Sequence, residues 1–276
     1  MGGGLAVLGL GFALATRETP PPSQQVPPRR YTVDELARSV IEYVAIGESR
    51  GKFGAQNRNT DNAGLSYGIL QWTQAGGGLG QLLQAMYAAD KRTFADTFGP
   101  SYASLLAVTA AKARADRLAP VGGVVLWEQP WTDRFTAAGR HPAFQQVQVN
   151  QAIHGPWFKE ALKVGEILGV RTQRAYVLYF NRTNHQGYRA TGIARTLADQ
   201  YQQNGWPDAD QVLKDYAVAC AGIYVSRTRL GDTWRQDTTD GLWYYYAGQV
   251  NLSKNILDRT SRILADTGLS DEAVVV

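Results

Sequence analysis

The 276 residues contain one cysteine and three histidines. With Cys220 alone, an intrachain disulfide is excluded. Cys220 stands in the apolar stretch YAVACAGIYV with no base beside it. It therefore reads as a small buried hydrophobe rather than a nucleophile. His141, His154 and His185 are widely spaced and form no H-E-x-x-H or paired-ligand pattern. No metal and no cofactor are expected on that ground. A dense Lys/Arg run is missing, which argues against a nucleic-acid partner. The apolar run from Leu5 to Ala15 is too short to span a bilayer, so no membrane span is expected in the mature chain. There is no G-x-S-x-G elbow. The glycine cluster at 76–80 lacks the lysine of a phosphate loop and reads as a flexible lip. The polar stretch 57–68 lacks the glycine and glutamate that a calcium loop needs at its sixth and twelfth positions, where Asn62 and Gly68 stand.

What is present is a globular composition, 44% hydrophobic and 19% charged, long enough to bury a substantial core. The net charge of +4 and pI near 9.1 suit an anionic partner such as an acidic cell-wall polymer. Ala13-Leu14-Ala15 resembles an A-x-A cleavage pattern, and residues 19–30 form a Pro-rich linker. Export to the cell envelope or medium is therefore expected. Residues 1–30 would then be a signal-like segment plus linker, 31–268 a catalytic domain and 269–276 a frayed end. A monomer is expected. Helical signals dominate from Tyr31, near 79–90, 101–118, 143–168, 172–180, 190–203, 208–226 and 249–266. No repeat and no βαβ alternation occur. The fold class is mainly α, with loops and a small hairpin at 54–72.

One helix is particularly well marked. Thr32-Val33-Asp34-Glu35 is a capping box, and apolar residues follow at 33, 36, 37, 40, 41, 44 and 45. Continuing that stripe by four residues lands on Glu48. A carboxyl on the core-facing side of a helix C-terminus is disfavoured as an anion by both desolvation and the helix dipole. Its pKa is expected to rise, as a general acid requires. The alternative is a Glu48 that reaches solvent or pairs with Arg50 or Arg58.

The residues after Glu48 decide which alternative is pursued. Asp61 lies in the polar loop NRNTDNAG, and GLSYGILQW follows. An acid at a helix end, a second carboxylate in a polar loop and a glycine-rich turn ending in Gln resemble the lysozyme-like superfamily. The pattern is similar to goose-type lysozymes and to phage and bacterial lytic enzymes, with chitosanases as a second relative. Glu48-Ser49 matches that family's general acid and the residue after it, Asp61 its second carboxylate, and Gly68-Ile69-Leu70-Gln71 its cleft-shaping turn. The segment LYFNRTNHQG resembles one that closes the same cleft. Thr73 departs from the pattern, since goose-type enzymes often carry Asp there, and the interval from Asp61 to Gly68 is one residue longer.

The resemblance implies a lysozyme-like α+β fold with the helix-end Glu48 beside a cleft. It implies a glycosidase of β-1,4 linkages in peptidoglycan, with Glu48 as acid and Asp61 activating water. Carboxyl groups about 6.5–9.5 Å apart give inversion, and about 5–5.5 Å retention; inversion is expected. The candidate substrate-binding residues are Ser49, Tyr67, Gly68, Gln71, Trp72, Thr73, Asn181, His185 and Gln186. Trp127, Trp131 and the tyrosines of LWYYYAG are further aromatic candidates. Alternatives are a chitosanase, a lytic transglycosylase that needs only the acid, and a non-catalytic wall-binding protein.

Overall fold

In the computed structural model, which describes residues 29–59, 62–228, 234–236, 243–245 and 249–275, the capping box forms as the sequence predicts. Thr32 Oγ1 accepts from the Glu35 amide at 3.2 Å, and Glu35 Oε2 accepts from the Thr32 amide at 2.7 Å. The helix it starts, α1 (Val33–Ser49), buries Leu36, Ala37, Val40, Ile41, Val44 and Ala45. It stops where Arg50 turns left-handed at φ 56°, so that the amides of Arg50 and Gly51 return to Ile46 and Ala45. The apolar run at 5–15, its cleavage pattern, residues 19–28 of the linker and Asp61 lie outside the described residues.

A short strand, β1 (Arg29–Arg30), precedes α1, and an antiparallel sheet of β2 (Gln56–Arg58), β3 (Leu65–Tyr67) and β4 (Trp72–Thr73) follows it. Gln56 faces Tyr67 across the first pair, and Tyr67 faces Trp72 across the second. Next come α2 (Gly78–Ala89), α3 (Lys91–Phe98), α4 (Tyr102–Thr109), α5 (Arg114–Arg117) and α6 (Trp131–Ala138). With Leu65, Tyr67 and Phe144, helices α2, α3, α4 and α6 enclose one hydrophobic core, in which Phe98 packs tilted on Phe94 and edge to face on Phe135.

A second, larger core holds α1 against α8 (Pro156–Leu168), α9 (Gln173–Gln186), α10 (Tyr188–Asn204) and α11 (Ala209–Thr228). Between the two, α7 (Pro142–His154) gives Phe144 to the first core and Ala152 and Ile153 to the second. Trp72 packs on both, so the two cores meet at the sheet's last strand. The chain closes through the hairpin β5 (Trp234–Gln236) and β6 (Trp243–Tyr245), then α12 (Gln249–Ala265) and β7 (Val274–Val275).

Several elements depart from the sequence expectation. The predicted 143–168 helix is two helices. Gly155 is extended at ψ 168°, and Pro156, which has no amide hydrogen, opens α8. The predicted 101–118 helix is also interrupted, while α3 and α6 were not anticipated. Residues 269–275, expected to fray, are held in place: Val274 and Leu269 are buried, and β7 pairs in parallel with β1. Gly78 to Gly80 open α2 rather than forming a loose lip. A Cβ on Gly80 would lie 2.2 Å from the Thr109 carbonyl oxygen, so close helix packing requires that glycine. Cys220 is fully buried, and burial pushes its thiol up to about 12, as an inert core residue requires. Among the described residues no helix is long and apolar enough to cross a membrane.

Candidate functional site

Glu48 occupies the last turn of α1 with only 8% of its side chain exposed. Its Oε1 meets two partners from distant parts of the chain. His185, in the last turn of α9, brings Nε2 to 2.7 Å. Arg259 of α12 hydrogen-bonds the same oxygen through Nη1, which also stands 2.6 Å from His185 Nε2. Arg182, one turn before His185 and 1% exposed, adds a second guanidinium close enough to act on both groups.

These charges reverse the expectation for Glu48. Burial pushes its carboxyl up, as anticipated. The charge and hydrogen bond of His185, with the charges of Arg259 and Arg182, outweigh burial and hold it below the ordinary carboxylate value. For His185 burial pushes the imidazole down, Glu48 pulls it up, and the two arginines tip the balance downward. When neutral, the imidazole donates to Glu48 through Nε2 only as the Nε2–H tautomer.

Helix α9 contributes to two cavities. One, of about 400 Å³, includes Asn184, the neighbour of His185, together with Gln71, Trp72, Thr73, Trp157 and Tyr188. The other, of about 530 Å³, includes Gly47, Asn181 and Arg259. Gln71 reaches the first cavity from a strained turn. Its φ is 55°, and its side chain donates to the carbonyls of Gly68 at 2.9 Å and Ala55 at 3.3 Å. Gln148, fully buried on α7, pins the same turn by accepting from Ile69 at 3.0 Å and donating to Phe53 at 3.0 Å. Gly68, at φ 84°, permits this approach: a Cβ there would lie 2.4 Å from Gln148 Oε1.

The sequence-predicted candidates separate into groups. Glu48 and His185 come together; Gln71, Trp72 and Thr73 line the first cavity. Ser49 is buried and donates to Ala45 of its own helix at 3.0 Å, so it faces no cleft. Tyr67 is fully buried with its ring 4.9 Å from that of Phe135, a core residue rather than a stacking platform. Gly68 is buried and shapes the turn without bordering either cavity. Asn181 is buried; its Oδ1 accepts from Arg182 Nε at 3.1 Å, and it borders the second cavity. Gln186 faces the other way, donating to the Cys220 carbonyl at 2.8 Å and joining α9 to α11. Trp131 is also a core residue, donating to Val121 at 3.1 Å. Trp127 borders neither cavity, and the tyrosines at 244–245 lie on β6.

Sequence reasoning missed Arg259, Arg182, Trp157 and Tyr188. Arg259 lies 211 positions from Glu48, and no local pattern links them. Trp157 follows the Gly155-Pro156 break, the one signal that marked a helix start there.

No protein-family model matches the sequence, and no curated protein matches it. Solved structures share the fold. A GH46 chitosanase of Gynuella sunshinyii in complex with chitotetraose aligns over 85% of this chain and 89% of its own, at 17% identity and TM-score 0.57. The native chitosanase of Bacillus subtilis MY002 aligns over 89% and 98%, at 12% identity and TM-score 0.52. A mutant chitosanase from the same strain, complexed with 6 GlcN, aligns over 84% and 90%, at 14% identity and TM-score 0.51. The chain has their lysozyme-like fold, mainly helical with a small antiparallel sheet.

Proposed function

We propose that the protein is a glycoside hydrolase of β-1,4-linked amino-sugar polymers, with Glu48 as the proton donor. The observation that carries this is a buried carboxyl at the end of α1, hydrogen-bonded to His185, in a fold shared with polysaccharide-cleaving enzymes. Hydrolysis requires an acid to protonate the leaving oxygen and a second group to activate water. Glu48 has the burial an acid requires, but its partners keep it ionised in the substrate-free arrangement. Loss of the Arg259 contact when a sugar enters would remove one of the charges that hold the carboxyl down and shift it toward its protonated form. Glu48 can then give its proton to the glycosidic oxygen. Asp61 is the residue assigned to deprotonate the attacking water, with inversion at the anomeric carbon.

Peptidoglycan is the preferred polymer, because a chain of net charge +4 is drawn to an anionic wall and repelled by cationic chitosan. Chitosan is the second reading, favoured by the similar structures bound to chitotetraose and glucosamine. Parallel digestion of peptidoglycan sacculi and chitosan, measured as new reducing ends, separates them. Release from sacculi supports the first; release from chitosan alone replaces it with the second. Release of anhydro-ended fragments in place of reducing ends would make the protein a lytic transglycosylase and remove the role given to Asp61.

A further inference from the structure

The cavity that begins at Asn184 is chemically one-sided. Among the residues that line it there is no Asp, Glu, Lys, Arg or His. Its walls are four aromatic residues, Trp72, Trp157, Phe180 and Tyr188, and several amides, among them Gln81, Gln151 and Asn184. These three side-chain amides make no hydrogen bond among the described residues, so their donors and acceptors are available to a ligand.

The rings are held in place. Trp157 meets Tyr188 edge to face at 5.5 Å, and the Trp157 carbonyl accepts from Thr183 Oγ1 at 2.8 Å. Gly187, at φ 58°, lies so close that a Cβ there would stand 3.2 Å from the Trp157 ring. Trp72 is limited in the same way by Gly78, whose Cβ would stand 3.3 Å from Trp72 Cδ1. A volume of about 400 Å³ falls in the range of about 300–1,000 Å³ usual for ligand sites.

This composition selects between the two forms of an amino sugar. A deacetylated ring carries an ammonium group, which loses hydration on entry and finds no carboxylate here to replace it. Attraction to the aromatic faces returns only part of that loss at a half-open site. An N-acetylated ring is uncharged. Its amide can pair with the free glutamine and asparagine side chains while its methyl group and apolar face rest on the indoles.

We infer that the Trp72–Trp157–Tyr188 cavity is a seat for an N-acetylated, uncharged amino sugar and discriminates against the deacetylated ring. The inference rests on the glycosidase reading and names the ring chemistry that reading leaves open.

The test uses the full chain carrying Glu48→Gln, with calorimetric titration of N-acetylglucosamine tetramer and of glucosamine tetramer at a pH where the amine is protonated. The acetylated tetramer is expected to bind at least tenfold tighter. Trp157→Ala should weaken it at least tenfold. Because that indole also packs on the core, Gln151→Glu on the exposed rim is the second variant. The added carboxylate should shift the binding ratio at least fivefold toward the deacetylated tetramer. Equal or tighter binding of the deacetylated tetramer would overturn the inference, as would an unchanged ratio in Gln151→Glu. Wild-type cleavage is scored separately. Acetylated-tetramer preference without hydrolysis of any polymer would keep the inference and remove the glycosidase reading. Cleavage between deacetylated rings with no acetyl preference would do the reverse.

Discussion

Arg174 ties the end of α12 to the start of α9, and so holds Arg259 and His185 in one frame. Its guanidinium, 8% exposed with the rest of the residue, donates to the carbonyls of Ile263, Leu264, Asp266 and Leu269 at 2.7–3.0 Å. It also forms a bidentate pair with Asp271 at 2.7 and 3.0 Å. Replacing it by methionine keeps most of the stem's packing and removes all six contacts. Asp271 has 65% of its side chain exposed and rehydrates, so its share of the loss is small. The carbonyls of Ile263 and Leu269 are bonded in buried surroundings, and each would lose its donor at about 1–3 kcal/mol. The two partly buried carbonyls add less. The expected loss is about 4 kcal/mol, which for a chain of this size corresponds to a Tm lower by roughly 8–16 °C. Urea unfolding with a shared m-value and calorimetry both report it. Arg174→Lys keeps the charge but presents one ammonium in place of a planar fork, and should recover less than half. A loss below about 1 kcal/mol for Arg174→Met would refute the claim that this arginine fastens α12 to α9.

Other expectations concern the site. Arg259→Met removes a cation that holds Glu48 ionised, so the Glu48 pKa should rise and the descending limb of the pH–rate profile should move to higher pH; an unmoved limb contradicts Arg259's assigned effect. Stability also depends on this cluster. Glu48 and His185 both have folded pKa values below their ordinary values of 4.5 and 6.5. The unfolded chain therefore binds protons first as pH falls, and stability present above those values is lost below them, starting with His185. The fall in urea midpoint between pH 7 and 5 should be shallower in His185→Gln; identical slopes would count against a depressed imidazole. Gly187→Ala combines a positive φ with the approach of Trp157, so a loss of about 1–3 kcal/mol is expected with weakened oligosaccharide binding. Unchanged stability and binding would show that the Trp157 ring moves freely.

Much of α1 was legible because it is an amphipathic helix with a capping box at one end, and the position of Glu48 followed from its period. The direction of the Glu48 pKa was not, because burial and the dipole are local while the opposing effects of His185, Arg259 and Arg182 come from α9 and α12. For α9 the sequence pattern predicts a helix that ends near residue 180. It continues to Gln186, and burial on all sides removes the apolar–polar alternation that marks a surface helix. Asn181 and His185, four residues apart, therefore turn toward Glu48 and Arg259, while Gln186 turns toward α11. The motif predicts Tyr67 to be a cleft residue. In β3 every side chain is buried, and the turn after it, rather than the strand, faces the cavity. Gly155-Pro156 is a local break signal, yet the sequence reading carries one helix across 143–168, and the placement of Trp157 required the fold.

The most direct test is the rate of reducing-end release by Glu48→Gln from whichever polymer the wild type cleaves, with products identified by mass spectrometry and oligosaccharide binding measured alongside. Loss of the proton donor should lower the rate by roughly 10²–10⁴ while oligosaccharide binding is retained. A decrease of less than tenfold with binding intact would contradict the assignment of Glu48 as the general acid.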